Sequence, residues 1–138
     1  MWAQRGLKFA VAWVLVGVGA CHMQQRTDTR DLGEGAALSL TLQPFPLVMG
    51  KKAELYATLR KQRSAGTGCQ VQYRQFPLES GAADVAWLDV PEQSRSGIYK
   101  THSLEFVSTG VWRIEFNLTC GEEWKKNGVG FEYTVTKQ

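Results

Sequence analysis

From residue 38 onward, apolar side chains recur at every second position. Leu38, Leu40 and Leu42 share one phase until Pro44 and Pro46 interrupt it, because proline has no N–H to give to a sheet ladder. Ala53, Leu55, Ala57 and Leu59 resume the pattern after Gly50-Lys51-Lys52, and Cys69, Val71 and Tyr73 repeat it. The clearest run is Trp112, Ile114, Phe116, Leu118 and Cys120, alternating with Arg113, Glu115, Asn117 and Thr119. Val129, Phe131, Tyr133 and Val135 close the chain in the same manner. A period of two sends one face of each segment into a core and the other into water. The pattern predicts strands over 37–43, 52–60, 68–76, 83–90, 97–107, 111–120 and 129–136, of which 83–90 is the least regular. Turns fall at Gly50, Gly66/Gly68, Gly81, Gly97, Gly110 and Asn127-Gly128, and no segment after residue 36 shows a helical period.

About seven short strands with turns so spaced fit an all-β, immunoglobulin-like antiparallel β-sandwich over 37–138. The third and sixth strands of such a sandwich are antiparallel neighbours. Cys69 opens the one and Cys120 ends the other, so they should lie side by side. Antibody domains instead bridge their second and sixth strands, so the cysteines fit the general architecture and not an antibody-type domain.

The front of the chain follows another rule. Arg5 and Lys8 precede an unbroken apolar and glycine run, FAVAWVLVGVGA, over 9–20. As a helix it would rise about 18 Å, too short for a hydrocarbon layer of about 30 Å, so export fits better than a permanent span. The run ends in Val18-Gly19-Ala20-Cys21, which resembles the lipobox of bacterial lipoproteins. That resemblance implies a signal peptide over 1–20, removed on export, and an acylated Cys21 that holds the domain to a membrane by its lipid tails; a plain cleaved secretory signal is the alternative. Many enterobacterial lipoproteins kept at the inner membrane have aspartate after the lipidated cysteine. Here His22 stands there, which implies the outer membrane, facing the periplasm, in a cell with two membranes. Residues 22–36, HMQQRTDTRDLGEGA, are polar and lack an apolar period, so they read as a flexible tether reaching at most about 50 Å.

Charge and cysteine content sharpen this picture. Of 16 cations in 138 residues, Arg5 and Lys8 would leave with a cleaved leader, so that 14 face 13 acids in the expected mature chain, without a nucleic-acid footprint. Assigning Cys21 to lipid leaves Cys69 and Cys120 as an even pair, which an oxidising compartment would bridge; two buried thiols are the alternative. Closing a loop of 51 positions would contribute about 4 kcal/mol by chain entropy.

Three short motifs carry a family resemblance: Pro44-x-Pro46-Leu47-x-x-Gly50, Ser96-Gly97-Ile98-Tyr99, and Phe106-x-Ser108-Thr109-Gly110-Val111-Trp112-Arg113-Ile114. Over about 38–136 the chain resembles the YtkA-like family, small exported immunoglobulin-like domains of bacterial envelopes. The resemblance implies the fold more firmly than a function, and some relatives are associated with copper handling or respiratory-oxidase assembly.

The candidate chemistry is sparse. A copper site needs several converging His, Met or Cys ligands, and outside the cysteines the chain has His22, Met23, His102 and Met49, scattered between tether, strand and turn. His102 with Met49 is the alternative metal pair; no cofactor is expected. Ser103 follows His102 directly, and neighbouring strand residues face opposite ways, so the pair forms no nucleophile and base. Asp84 and Asp89 also oppose, Glu122 and Glu123 read as solvated loop charge, and no enzyme activity is expected. The sixth-to-seventh-strand loop, Gly121-Glu122-Glu123-Trp124-Lys125-Lys126-Asn127, and Arg60, Lys61 and Arg63 of the second-to-third-strand loop should gather at one end. Trp124, Lys125, Lys126, Arg60, Lys61 and Arg63 are therefore the expected contact patch for an envelope protein partner, since a loop-tip tryptophan offers large area at low entropic cost. The alternatives are that Trp124 folds back to cap the sandwich, or that the tether enters at this end and the cations meet anionic headgroups.

Overall fold

A computed structural model describes residues 24–138, the side chain of His102 excepted; the leader and Cys21 lie outside the described residues. Its strands are β1 (Arg26–Gly33), β2 (Ala36–Gln43), β3 (Leu47–Val48), β4 (Ala53–Lys61), β5 (Ser64–Ala65), β6 (Gln70–Pro77), β7 (Leu88–Asp89), β8 (Ile98–Leu104), β9 (Gly110–Cys120) and β10 (Trp124–Thr136). One sheet runs β1-β2-β4-β5, with β8 also on β4; the other runs β3-β10-β9-β6-β7. Leu38, Leu40, Leu42, Leu55 and Leu59 of the first sheet meet Val71, Ile114, Phe116, Leu118 and Phe131 of the second in one core cluster. Each such fully buried Leu or Phe contributes roughly 1.5–3 kcal/mol. These are the residues of the period-two runs, and the predicted immunoglobulin-like sandwich forms from them.

The chain changes sheets where the prolines interrupt the pattern. After β2 it passes the cis bonds Gln43–Pro44 and Phe45–Pro46, and β3 then pairs in parallel with the end of β10. Gln70 lies opposite Thr119 in the antiparallel β6–β9 ladder, which sets Cys69 beside Cys120; their Cα atoms are 4.4 Å apart and the sulfurs are bonded. Just above this bridge, the Tyr99 hydroxyl donates to the Gly66 carbonyl (2.8 Å) and accepts from the Cys69 N–H (3.0 Å), tying the β5–β6 connection to β8. Gly66 has no substitute there, because a Cβ would stand 2.6 Å from Leu59 Cγ.

Two expectations are corrected. Residues 83–90 do not form a full strand: Asp84 takes a left-handed φ of 67°, and only Leu88–Asp89 pair, at the edge beside β6. The larger correction concerns the tether. Residues 26–33 are strand β1, paired along its length with β2, so the folded unit begins near residue 24 and not at 37. The inward positions of β1 are mostly charged, which is why an apolar count misses them. Arg26 Cζ lies 5.4 Å from the Phe45 ring centre and 5.6 Å from that of Tyr133, and Arg30 Cζ lies 4.7 Å from that of Phe131. Asp28 accepts from the Tyr133 hydroxyl (3.0 Å) and from Arg26 Nε (3.0 Å), while Leu32 packs against the core. On the outer face Thr27 meets Thr41, and Thr29 meets Ser39, through hydroxyl hydrogen bonds of 2.7 Å. Inward charges of this kind are also how an edge strand avoids pairing with another chain.

Burial, then the hydrogen bond and charge of Asp28, push the Tyr133 hydroxyl well above the ordinary phenol range; burial also raises Tyr73 and Tyr99. A raised native pKa keeps the proton where an unfolded tyrosine, near 10, has lost it. The stability that follows is complete below pH 10 and declines as pH rises further. Urea unfolding should trace that decline. Tyr133→Phe should cost about 1 kcal/mol at pH 7, for the lost hydrogen bond, and should flatten the alkaline slope. An alkaline slope equal to that of the parent chain would refute the Tyr133–Asp28 tie.

Candidate functional site

The turn joining β9 and β10 is short, Gly121-Glu122-Glu123, with Gly121 at a positive φ of 73°. Trp124 is consequently not at a loop tip. It is the first residue of β10, opposite Cys120, and its half-buried side chain packs against the core. Lys61, at the end of β4, sets Nζ 5.3 Å from the centre of the Trp124 ring. Two open clefts flank this pair. One runs between Glu34, Trp124 and the acidic turn, and the other runs along Gln62 to Thr67 toward the Cys69–Cys120 bridge.

The six expected contact residues are thus only partly brought together. Lys61 and Trp124 touch, and exposed Arg63 lies just past Lys61 in the β4–β5 turn. Arg60 lies opposite Ala37 on the solvent side of the first sheet, whereas Lys125 lies opposite Thr119 on the solvent side of the second. Lys126, opposite Leu118, is half-buried. The end also carries Glu34, Glu122 and Glu123, so its charge is mixed and not a cationic pad. The chain, moreover, does not enter here. Gly33 pairs with Ala36 and Ala36 with Lys61, but Arg26 pairs with Leu42 at the far end, where the Phe45 N–H donates to the Gln24 carbonyl (3.0 Å). The headgroup-facing alternative for this end is overturned by that direction of β1.

The other sequence candidates lie apart from it. Met49 is half-buried against the core, and its N–H donates to the Thr136 carbonyl (2.9 Å). His102 lies within β8, and Cys21, His22 and Met23 fall outside the described residues. Among the described residues no three His, Cys, Asp or Glu side chains gather as metal ligands. Asp89 accepts from the Gln72 amide (3.2 Å), and Asp84, Glu122 and Glu123 are exposed.

A second cluster, on the outer face of the β3-β10-β9-β6-β7 sheet, was not anticipated. Arg74 Nη2 stands 2.8 Å from Glu115 Oε1, Arg113 Nε stands 2.8 Å from Glu115 Oε2, and Arg113 Nη1 reaches Glu132 at 3.4 Å. Arg74 also stacks on half-buried Trp87, 4.2 Å from the ring centre. Gly130 leaves room for this row, since a Cβ there would meet the Arg113 guanidinium at 2.2 Å. The signal lay in the polar partners of the alternation, Arg113 and Glu115, but their pairing with Arg74 and Glu132 needs the strand order. Burial works to raise the Glu115 carboxyl, yet hydrogen bonds from Arg113 and Arg74, with their charges, outweigh it and hold the group below its usual range.

A lowered native pKa contributes stability that is present above the unfolded value and lost as pH falls through the native one. Glu115→Gln should therefore cost about 1–2 kcal/mol at pH 7, measured by denaturant, and flatten the acid limb of the stability curve. An acid limb unchanged in the variant would mean that the arginines do not hold this carboxylate.

No family model matches the chain, and neither a curated protein nor a solved structure matches it.

Proposed function

We propose that the chain is an exported lipoprotein of the cell envelope that works by binding a protein partner, without catalysis, through the Lys61–Trp124 end of its sandwich. The single observation that carries this reading is directional. β1 runs from the Phe45 end to the Lys61 end, so a lipid on Cys21 tethers the far end and leaves the Lys61–Trp124 end facing outward. The clefts beside Lys61 offer an aromatic edge, mixed charge and the exposed Arg63, features suited to protein contact more than to a lipid surface. Outer-membrane placement rests on His22 after Cys21, and kinship with the YtkA-like family rests on the three motifs quoted above.

The test uses a photo-crosslinking residue at Arg63 in the lipidated full chain expressed in its envelope. A discrete protein adduct is expected, and Lys61→Glu should reduce it at least tenfold while the unfolding midpoint stays unchanged. Absence of an adduct, or one indifferent to Lys61→Glu, would sink the reading.

A further inference from the structure

We infer that the opposite end of the sandwich is a bilayer-docking surface, seated on lipid and not merely hung from it. Four large apolar side chains stand exposed among the described residues, and three of them lie at this end: Val107 (75% exposed), Val111 (43%) and Leu78 (42%). Leu78 and Val111 are joined by the Leu78 N–H to Val111 carbonyl bond (2.9 Å) and line one groove with Pro77, Thr109, Gly110 and the exposed Glu79 at its rim. Val107 follows the buried Phe106, whose carbonyl accepts from the Gly50 N–H (2.9 Å). That bond places exposed Lys51 and Lys52 beside the apolar group, and Lys137 follows Thr136, which pairs with Val48 at the same end. Glu79 and Glu105 are the nearby exposed acids, so lysines outnumber acids here.

Apolar tips with three lysines at the same end suit the boundary between acyl chains and anionic headgroups, where the tips leave water and the ammonium groups meet phosphate. The occupant is identified by where the remaining chain attaches. Phe45 binds Gln24 at this end, and only His22 and Met23 separate Gln24 from Cys21, a span of at most about 10 Å. The fifteen-residue tether expected from the polar stretch has shrunk to this short link because β1 takes up the rest. An acylated Cys21 therefore holds Val107, Val111 and Leu78 within reach of the bilayer surface. The inference rests on the lipidation reading above.

The mature lipoprotein carrying Val107→Cys has one free thiol once Cys21 is acylated and Cys69 is bridged to Cys120. It is labelled with an environment-sensitive nitrobenzoxadiazole dye and reconstituted into vesicles of phosphatidylethanolamine and phosphatidylglycerol. The expected result is a blue-shifted emission at position 107, quenched at least twofold by brominated acyl chains, and a water-like emission from the same dye at Arg60→Cys. Adding Leu78→Glu and Val111→Glu to the Val107→Cys protein should abolish the blue shift. A protein that partitions into detergent with acylated Cys21 but shows a water-like dye at 107 overturns docking and leaves lipidation standing. A mass spectrum with unmodified Cys21 overturns lipidation, and docking falls with it.

Discussion

The contact on which the rest of the structure depends is the one between the charged side of β1 and the aromatic side of β10. A sandwich of two open sheets leaves a gap along each edge, and without β1 the gap beside β10 would uncover Phe131 and Tyr133, which are buried in the folded chain. Arg26 and Arg30 lay their guanidinium groups over these rings, and Asp28 takes the Tyr133 hydroxyl. Each cation–ring contact contributes on the order of 0.5–1 kcal/mol, more where water is excluded. Their number matters less than their direction, because they commit eight residues to a strand and so decide at which end the chain enters the domain.

Entry at the Phe45 end gives the two ends of the sandwich different surroundings. One end collects exposed valines, a leucine and lysines, at the end where the described chain enters the sandwich. The other collects the disulfide, the Tyr99 knot, the Lys61–Trp124 stack and a mixture of charges. The knot and the bridge brace the loops of that second end, since Tyr99 joins the Gly66 carbonyl to the Cys69 amide and Cys69 is in turn joined to Cys120. A contact surface proposed there would be presented on braced backbone, which would lower the entropy lost on binding.

The row Trp87–Arg74–Glu115–Arg113–Glu132 shows how a solvent-facing sheet surface can still be ordered. Isolated surface ion pairs contribute little. In this row Glu115 is 12% exposed and receives two arginines, one stacked on Trp87 and the other lying across Gly130, so the charges are held where water screens them less. Its members come from three strands and the segment before β7, which makes the row a product of strand order.

Much of the fold was legible because side-chain direction along a strand is local. A residue two positions on faces the same way whatever its neighbours are, so the leucines at 38, 40 and 42 and the run from Trp112 to Cys120 disclose buried faces without any knowledge of pairing. The proline break was readable for the same reason, being tied to backbone chemistry at its own position, whereas the Cys69–Cys120 pair was readable from the count of cysteines and from the strand neighbours of an immunoglobulin-like sandwich. β1 was illegible because its inward residues are charged, and they become inward only where aromatic rings on a strand about a hundred residues away receive them. Trp124 looked like a loop tip because the length of a hairpin turn depends on register, which is decided across two strands. Whether Lys61 meets Trp124, and at which end of the body the chain enters, are likewise properties of distances between segments remote in sequence, and only the packed structure determines those.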